Sequence, residues 1–169
     1  AVAKEYFVVH STPGGLRNAI LDAGKDFRKI KNLKITGKID LRDFYFMRDS
    51  MDMLSALNLK QVRVKGYGRS SVYNIPCMDD QIPGEAFFRN DTGDGKLSLC
   101  SLMLPDTLVS IGNRAFRACR NLTGSLVIPE GVVDIQQGAF SECNNLNGTL
   151  TLPSTLKKLG NCGNDKNQD

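Results

Sequence analysis

This chain has no tryptophan, a single histidine and only four tyrosines among its 169 residues. Without tryptophan it lacks the best platform for stacking sugars or bases, which weakens any carbohydrate or nucleic-acid reading. The one histidine, His10, leaves little for general base catalysis, and no Gly-x-Ser-x-Gly turn or phosphate loop occurs. An enzyme is therefore not expected. Five cysteines contain no Cys-x-x-Cys pair, so neither a zinc site nor another cofactor is expected. Long hydrophobic runs are missing too: nothing approaches the roughly 18 apolar residues that a membrane span needs. No basic start leads into an apolar stretch, so no secretory leader is read in these residues. Charge of one sign is also scarce, with 22 basic against 18 acidic residues and a net +4. The densest basic stretch, Lys25 to Lys38, is interrupted by Asp26 and carries no ladder of aromatics. It reads as a solvated face, and no nucleic-acid partner is expected.

What the chain does have is a repeat. Ser101-Leu102-Met103-Leu104-Pro105 returns as Ser125-Leu126-Val127-Ile128-Pro129 and again as Thr149-Leu150-Thr151-Leu152-Pro153, each time 24 residues on. Behind the first proline stand Leu108, Ile111, Ala115, Phe116, Cys119 and Leu122; behind the second, at the same offsets, Val132, Ile135, Ala139, Phe140, Cys143 and Leu146. A fixed period of this size marks stacked units, none of which can enclose its own apolar side chains. Alternation of Leu102 and Leu104 with Ser101 and Met103 predicts a strand with one buried face, ended by the proline. The segment from Ala115-Phe116 through Cys119 is expected to form a short helix. Cys119 and Cys143 then stack on adjacent rungs, about 4.8 Å apart, so a disulfide is within reach. Free buried thiols fit the period better, because that position takes a small apolar side chain.

Before the regular repeats, Gln81-Ile82-Pro83-Gly84-Glu85-Ala86-Phe87 matches Ser110 to Phe116 in its isoleucine, alanine and phenylalanine, at a step of 29 residues. Asp91 to Lys96 accounts for the surplus. That insertion invites a calcium reading through Asp91 and Asp94, but no glutamate stands at the bidentate position of an EF-hand loop, and Asp-Gly is a common surface turn. Nearer the start, Tyr6 to Val9 predicts a strand, Leu16, Ile20 and Leu21 a helix stopped by Gly24, and Leu33 to Gly37 a second strand. Ser11 and Thr12 are candidate helix-start residues. Phe44, Phe46, Met47, Met51, Met53 and Leu54 read as cap core, and Leu57 to Val64 as a further rung with Leu59, Val62 and Val64 buried. Asn90-Asp91-Thr92, Asn121-Leu122-Thr123 and Asn147-Gly148-Thr149 match the N-glycosylation pattern; repetition explains the last two.

The run Leu-x-Ser-Ile-Gly-x-x-Ala-Phe-x-x-Cys-x-x-Leu from Leu108 to Leu122 resembles the BspA-like leucine-rich repeat, as does Leu-Thr-Gly-Ser-Leu-Val-Ile-Pro-Glu-Gly-Val at 122 to 132. Ile30 to Met47 is similar to the amino-terminal cap of such proteins in Bacteroidales. The resemblance implies an α/β fold: a leucine-rich-repeat solenoid of short parallel strands and short helical turns behind an α/β cap. Residues 1–56 are expected to form the cap, with one strand-helix-strand unit, and 57–169 the repeats, regular from about 98. It further implies an extracellular or cell-surface module for adhesion or protein binding, with a host or neighbouring-cell protein as partner. Any recognition is expected on the outward columns, Ser101, Ser125 and Thr149 in one, Met103, Val127 and Thr151 in the other. A structural spacer in a longer surface protein is the alternative. Phe140→Ala is expected to destabilise by about 3–5 kcal/mol, the range for a buried aromatic.

Overall fold

Apolar residues alternating with polar ones, between turn formers, give short strands throughout; the computed structural model describes residues 4–160. In chain order these are β1 (Phe7–Ser11), α1 (Leu16–Asp22), β2 (Asn32–Ile39), α2 (Leu41–Ser50), β3 (Ala56–Asn58), β4 (Val62–Val64), β5 (Gln81–Ile82), β6 (Phe88–Arg89), β7 (Asp94–Gly95), β8 (Ser101–Met103), β9 (Ser110–Ile111), β10 (Leu126–Val127), β11 (Asp134–Ile135), β12 (Leu150–Thr151) and β13 (Lys158–Leu159). The chain is thus mixed α/β, with parallel strands and few helices.

Strand register follows the sequence period. Leu126 lies opposite Leu150, and Ile111, Ile135 and Leu159 lie opposite one another in turn, each a repeat apart. The longer step also holds, since Gln81 pairs with Ser110 and Ile82 with Ile111. Its surplus residues fold out as the antiparallel hairpin β6–β7. Asp91 pairs there with Arg89 at 2.9 Å. Gly95 sits so close to the Ala118 backbone that a β-carbon would collide with it, which anchors the hairpin on the next rung. At the other end β1, β2, β3 and β8 form one parallel ladder that runs across residue 56, with Phe7, Leu33, Leu57 and Leu102 in line. Cys162 lies outside the described residues.

The helix expected at Ala115 to Cys119 is not formed. Those residues make successive turns. The amides of Phe116 and Ala118, and that of Arg114 just before them, donate to the next rung, Arg114 to Gln137, Phe116 to Ala139 and Ala118 to Ser141 at 3.0, 2.8 and 2.8 Å. The intervening amides of Ala115, Arg117 and Cys119 close local turns onto Gly112, Arg114 and Phe116. A helix would turn every amide inward along its own axis and leave the neighbouring rung's carbonyls unpaired. The alternation requires left-handed backbone at Arg114 (φ 54°) and Ala118 (φ 55°), and Glu142 repeats the second of these at 60°.

Within the cap, α1 covers Leu16–Asp22 and Gly24 ends it: Gly24 N–H bonds the Leu21 carbonyl and Lys25 N–H that of Ile20, with Gly24 at φ 73°. Its start is not capped by Ser11 or Thr12. Asp43, from α2, accepts instead from Gly14 N–H at 2.8 Å and Leu16 N–H at 3.0 Å. Helix α2 itself was not foreseen, although its Asp40–Asp43 capping box is present in the sequence. It carries Phe44 and Met47 into the core with Met51 and Leu54, while Met53 stays exposed.

Down the centre, Phe87 stacks on Phe116 at 5.5 Å and Phe116 on Phe140 at 5.3 Å, and Phe44 meets Phe87 edge-on at 5.9 Å. Each such pair contributes about 0.5–1.5 kcal/mol beyond burial. Phe116 is fully buried, whereas Phe140 is only partly so. The full loss of about 3–5 kcal/mol is therefore expected for Phe116→Ala, and about half as much for Phe140→Ala. Chemical denaturation of both variants checks this order; an equal loss would place Phe140 in the closed core.

Candidate interaction face on the parallel strands

Each strand of the β1–β2–β3–β8 ladder has the form apolar–x–apolar, with every x on one face, and β10 of the separate β10–β12 pair follows the same form. The inward pairs are Leu33 and Ile35, Leu57 and Leu59, Leu102 and Leu104, and Leu126 and Ile128, all buried. The residues between them are Lys34, Asn58, Met103 and Val127, with Val8 before them on β1 and Thr151 after them on β12. Of the six positions proposed from sequence, Ser125 and Thr149 are joined directly: the Ser125 hydroxyl accepts from Thr149 N–H at 2.9 Å. Val127 and Thr151 are cross-strand partners. Ser101 and Met103 share the same side on β8, Met103 being 41% exposed and Val127 62%.

One departure from the columns matters. No strand ladder joins β8 to β10 among the described residues. The two rungs touch at their feet, where Thr123 N–H donates to the Cys100 carbonyl at 3.0 Å, with no ladder pairing beyond it. A groove of about 270 Å³ opens between them, lined by Leu102, Met103 and Leu104 from one rung and Ser125, Val127 and Pro129 from the next. The Lys60–Asp106 ion pair, at 3.0 Å, completes the lining.

The register also adds residues that the repeat did not point to. Asn32 and Ala56 extend the Ser101 column, and Val8, Lys34 and Asn58 extend that of Met103. A signal was present: Leu33-Lys34-Ile35 and Leu57-Asn58-Leu59 stand one 24-residue step apart. The basic stretch near the start divides in two. Lys34 and Lys38 belong to this face, whereas Lys25 lies over the Phe7 ring at 5.5 Å and Arg28 pairs with Asp26.

Other chemistry-bearing groups lie elsewhere. His10 Nδ1 is 3.1 Å from the Thr36 hydroxyl at an exposed site. Among the described residues no three His, Cys, Asp or Glu side chains are gathered so as to hold a metal ion. Cys77, Cys100 and Cys119 are free thiols. Cys119 Sγ lies 3.7 Å from the Phe87 carbonyl and Cys143 Sγ 3.0 Å from the Phe116 carbonyl, so both thiols address the preceding rung. Burial, reinforced by the neighbouring Cys143, pushes the Cys119 thiol up to about 12. Burial likewise pushes Cys77 up to about 11, with Glu85 and Asp40 adding to it. No helix among the described residues is long and apolar enough to cross a membrane.

Parallel strands in register with the sequence period, each burying a Leu-x-Leu pair, define a leucine-rich repeat array. Residues 80–163 match the BspA type leucine rich repeat region in 6 copies, and through this part the chain belongs to that family. The match takes in the irregular rung at Gln81–Phe87 as well as the regular ones. No curated protein matches the chain.

In the native protein, iodoacetamide at pH 8 is expected to label Cys119 at least about a hundredfold more slowly than an exposed thiol, because so little thiolate is present. Peptide mass spectrometry over time reads this, and rapid modification of Cys119 would show that the rungs open readily there.

Proposed function

We propose that this chain is a non-enzymatic protein-binding module of a secreted or cell-surface protein of the Bacteroidales type, acting in adhesion or partner recognition. In this reading residues 1–56 cap a solenoid formed by residues 57–169. The strand face carrying Ser101, Met103, Ser125, Val127, Thr149 and Thr151 is the contact surface, extended by Asn58 and, across the cap, by Lys34 and Val8. The observation that carries it is the pair of exposed apolar side chains, Met103 and Val127, on the two sides of a groove in the strand face. Exposed apolar groups beside a formed depression are the usual anchor points of protein recognition. Membership in a leucine-rich repeat family supports the same reading, since stacked repeats offer long surfaces rather than enclosed pockets.

The purified chain, passed over immobilised matrix proteins and bacterial surface proteins in a resonance biosensor, is expected to bind at least one. Met103→Asn combined with Val127→Asn is expected to weaken that binding at least about tenfold, near 1.4 kcal/mol, with no change in melting temperature. Binding that survives this double substitution would remove the face from consideration. Absence of binding to every surface would favour a spacer role.

A further inference from the structure

Resting on the face proposed above, we infer that its partner is an acidic polypeptide segment, one large apolar side chain of which seats in the groove between Met103 and Val127. The charge pattern of the face points to it. No outward-facing position of β1, β2, β3, β4, β8, β10 or β12 is acidic. Lys34 and Lys38 project from β2, and the register sets Lys38 beside Arg63 of β4. Carboxylates from the adjoining loops answer some of the nearby cations: Asp106 pairs with Lys60 at 3.0 Å, Asp80 with Arg63 at 3.2 Å and Asp79 with Lys65 at 3.6 Å. Lys34 has no carboxylate partner among the described residues, and Lys38, although it lines a pocket with Asp79 and Asp80, makes no ion pair with either, so Lys34 is the clearest unanswered positive charge beside the apolar groove.

The occupant follows from placing these two features together. Lys34 and Met103 stand in one cross-strand row, separated only by Asn58. Two strand spacings make that about 10 Å, the reach of roughly three residues of extended chain. A segment crossing the strands can thus place an apolar side chain in the groove and a carboxylate at Lys34. A nucleic acid would need bases stacked on aromatics, and none of these outward positions is aromatic. A sulfated glycan would answer the lysines but leave the groove between Met103 and Val127 empty. Exposed ion pairs add little affinity each, so the charges act chiefly on selectivity and encounter rate while the apolar side chain anchors.

The test uses a randomised phage-displayed peptide library panned on the intact chain, followed by fluorescence polarisation of the enriched peptides. Enriched sequences are expected to combine Asp or Glu with one large apolar residue about three positions away. Lys34→Gln with Lys38→Gln is expected to weaken binding about threefold to tenfold, and added salt to do the same. Met103→Asn with Val127→Asn is expected to weaken it at least about tenfold. Circular dichroism melts of both double variants should match the parent. Enrichment of neutral or basic peptides, or loss on the Met103/Val127 change with none on the lysine change, would overturn the acidic partner and leave the face standing. Binding insensitive to both double variants would overturn the face as well. No enriched peptide, or retention of heparin alone, would overturn peptide docking.

Discussion

The dependence of each rung on its neighbour for hydrogen bonds governs this structure. Arg114, Phe116 and Ala118 donate to carbonyls of the following repeat, and Glu85 and Phe87 donate in the same sense to Asn113 and Ala115. A single repeat therefore carries buried amides that it cannot satisfy, each a penalty of about 1–3 kcal/mol if left open. Stacking removes that penalty and at the same time brings Phe87, Phe116 and Phe140 into one column. Polar satisfaction and aromatic packing demand the same repeat spacing, so the period is over-determined.

Local backbone yields to that demand. Arg114, Ala118 and Glu142 adopt left-handed conformations that disfavour residues with a β-carbon, by about 1–2 kcal/mol each. Glycine occupies the position in only one of the later rungs, at Gly138, one repeat after Arg114. The strain is tolerated because the alternation of inward and onward amides cannot be made otherwise. The same geometry explains the cysteine column: a small side chain fits, and its thiol can address the carbonyl of the preceding phenylalanine.

The outward face is a consequence of the same ladder. Once the apolar pair of each strand is turned inward, the residue between has only one side to occupy, whatever its chemistry. On β2 and β3 those residues include Lys34 and Asn58; on β8, β10 and β12 they are Met103, Val127 and Thr151. Burial thus fixes where these side chains stand without fixing what they are, and that freedom is what a recognition surface requires.

Much of this was legible in the residues. The Leu-x-Leu pairs, the prolines after them and the Ala-Phe-x-x-Cys run announce the inward set, because burial acts on side-chain type and repeats with the period. The Asp40-x-x-Asp43 cap was readable too, yet Asp43 also holds the start of α1 across 27 residues, which no local pattern expresses. Tertiary structure alone decided that Ala115 to Cys119 would be turns rather than helix, since the winning amide partners lie in the next repeat. It alone joined Val8, Lys34 and Asn58 to Met103 and opened the groove between β8 and β10. The period determines which residues face inward; how neighbouring rungs meet, and where their strands pair, depends on hydrogen bonds between segments distant in the chain.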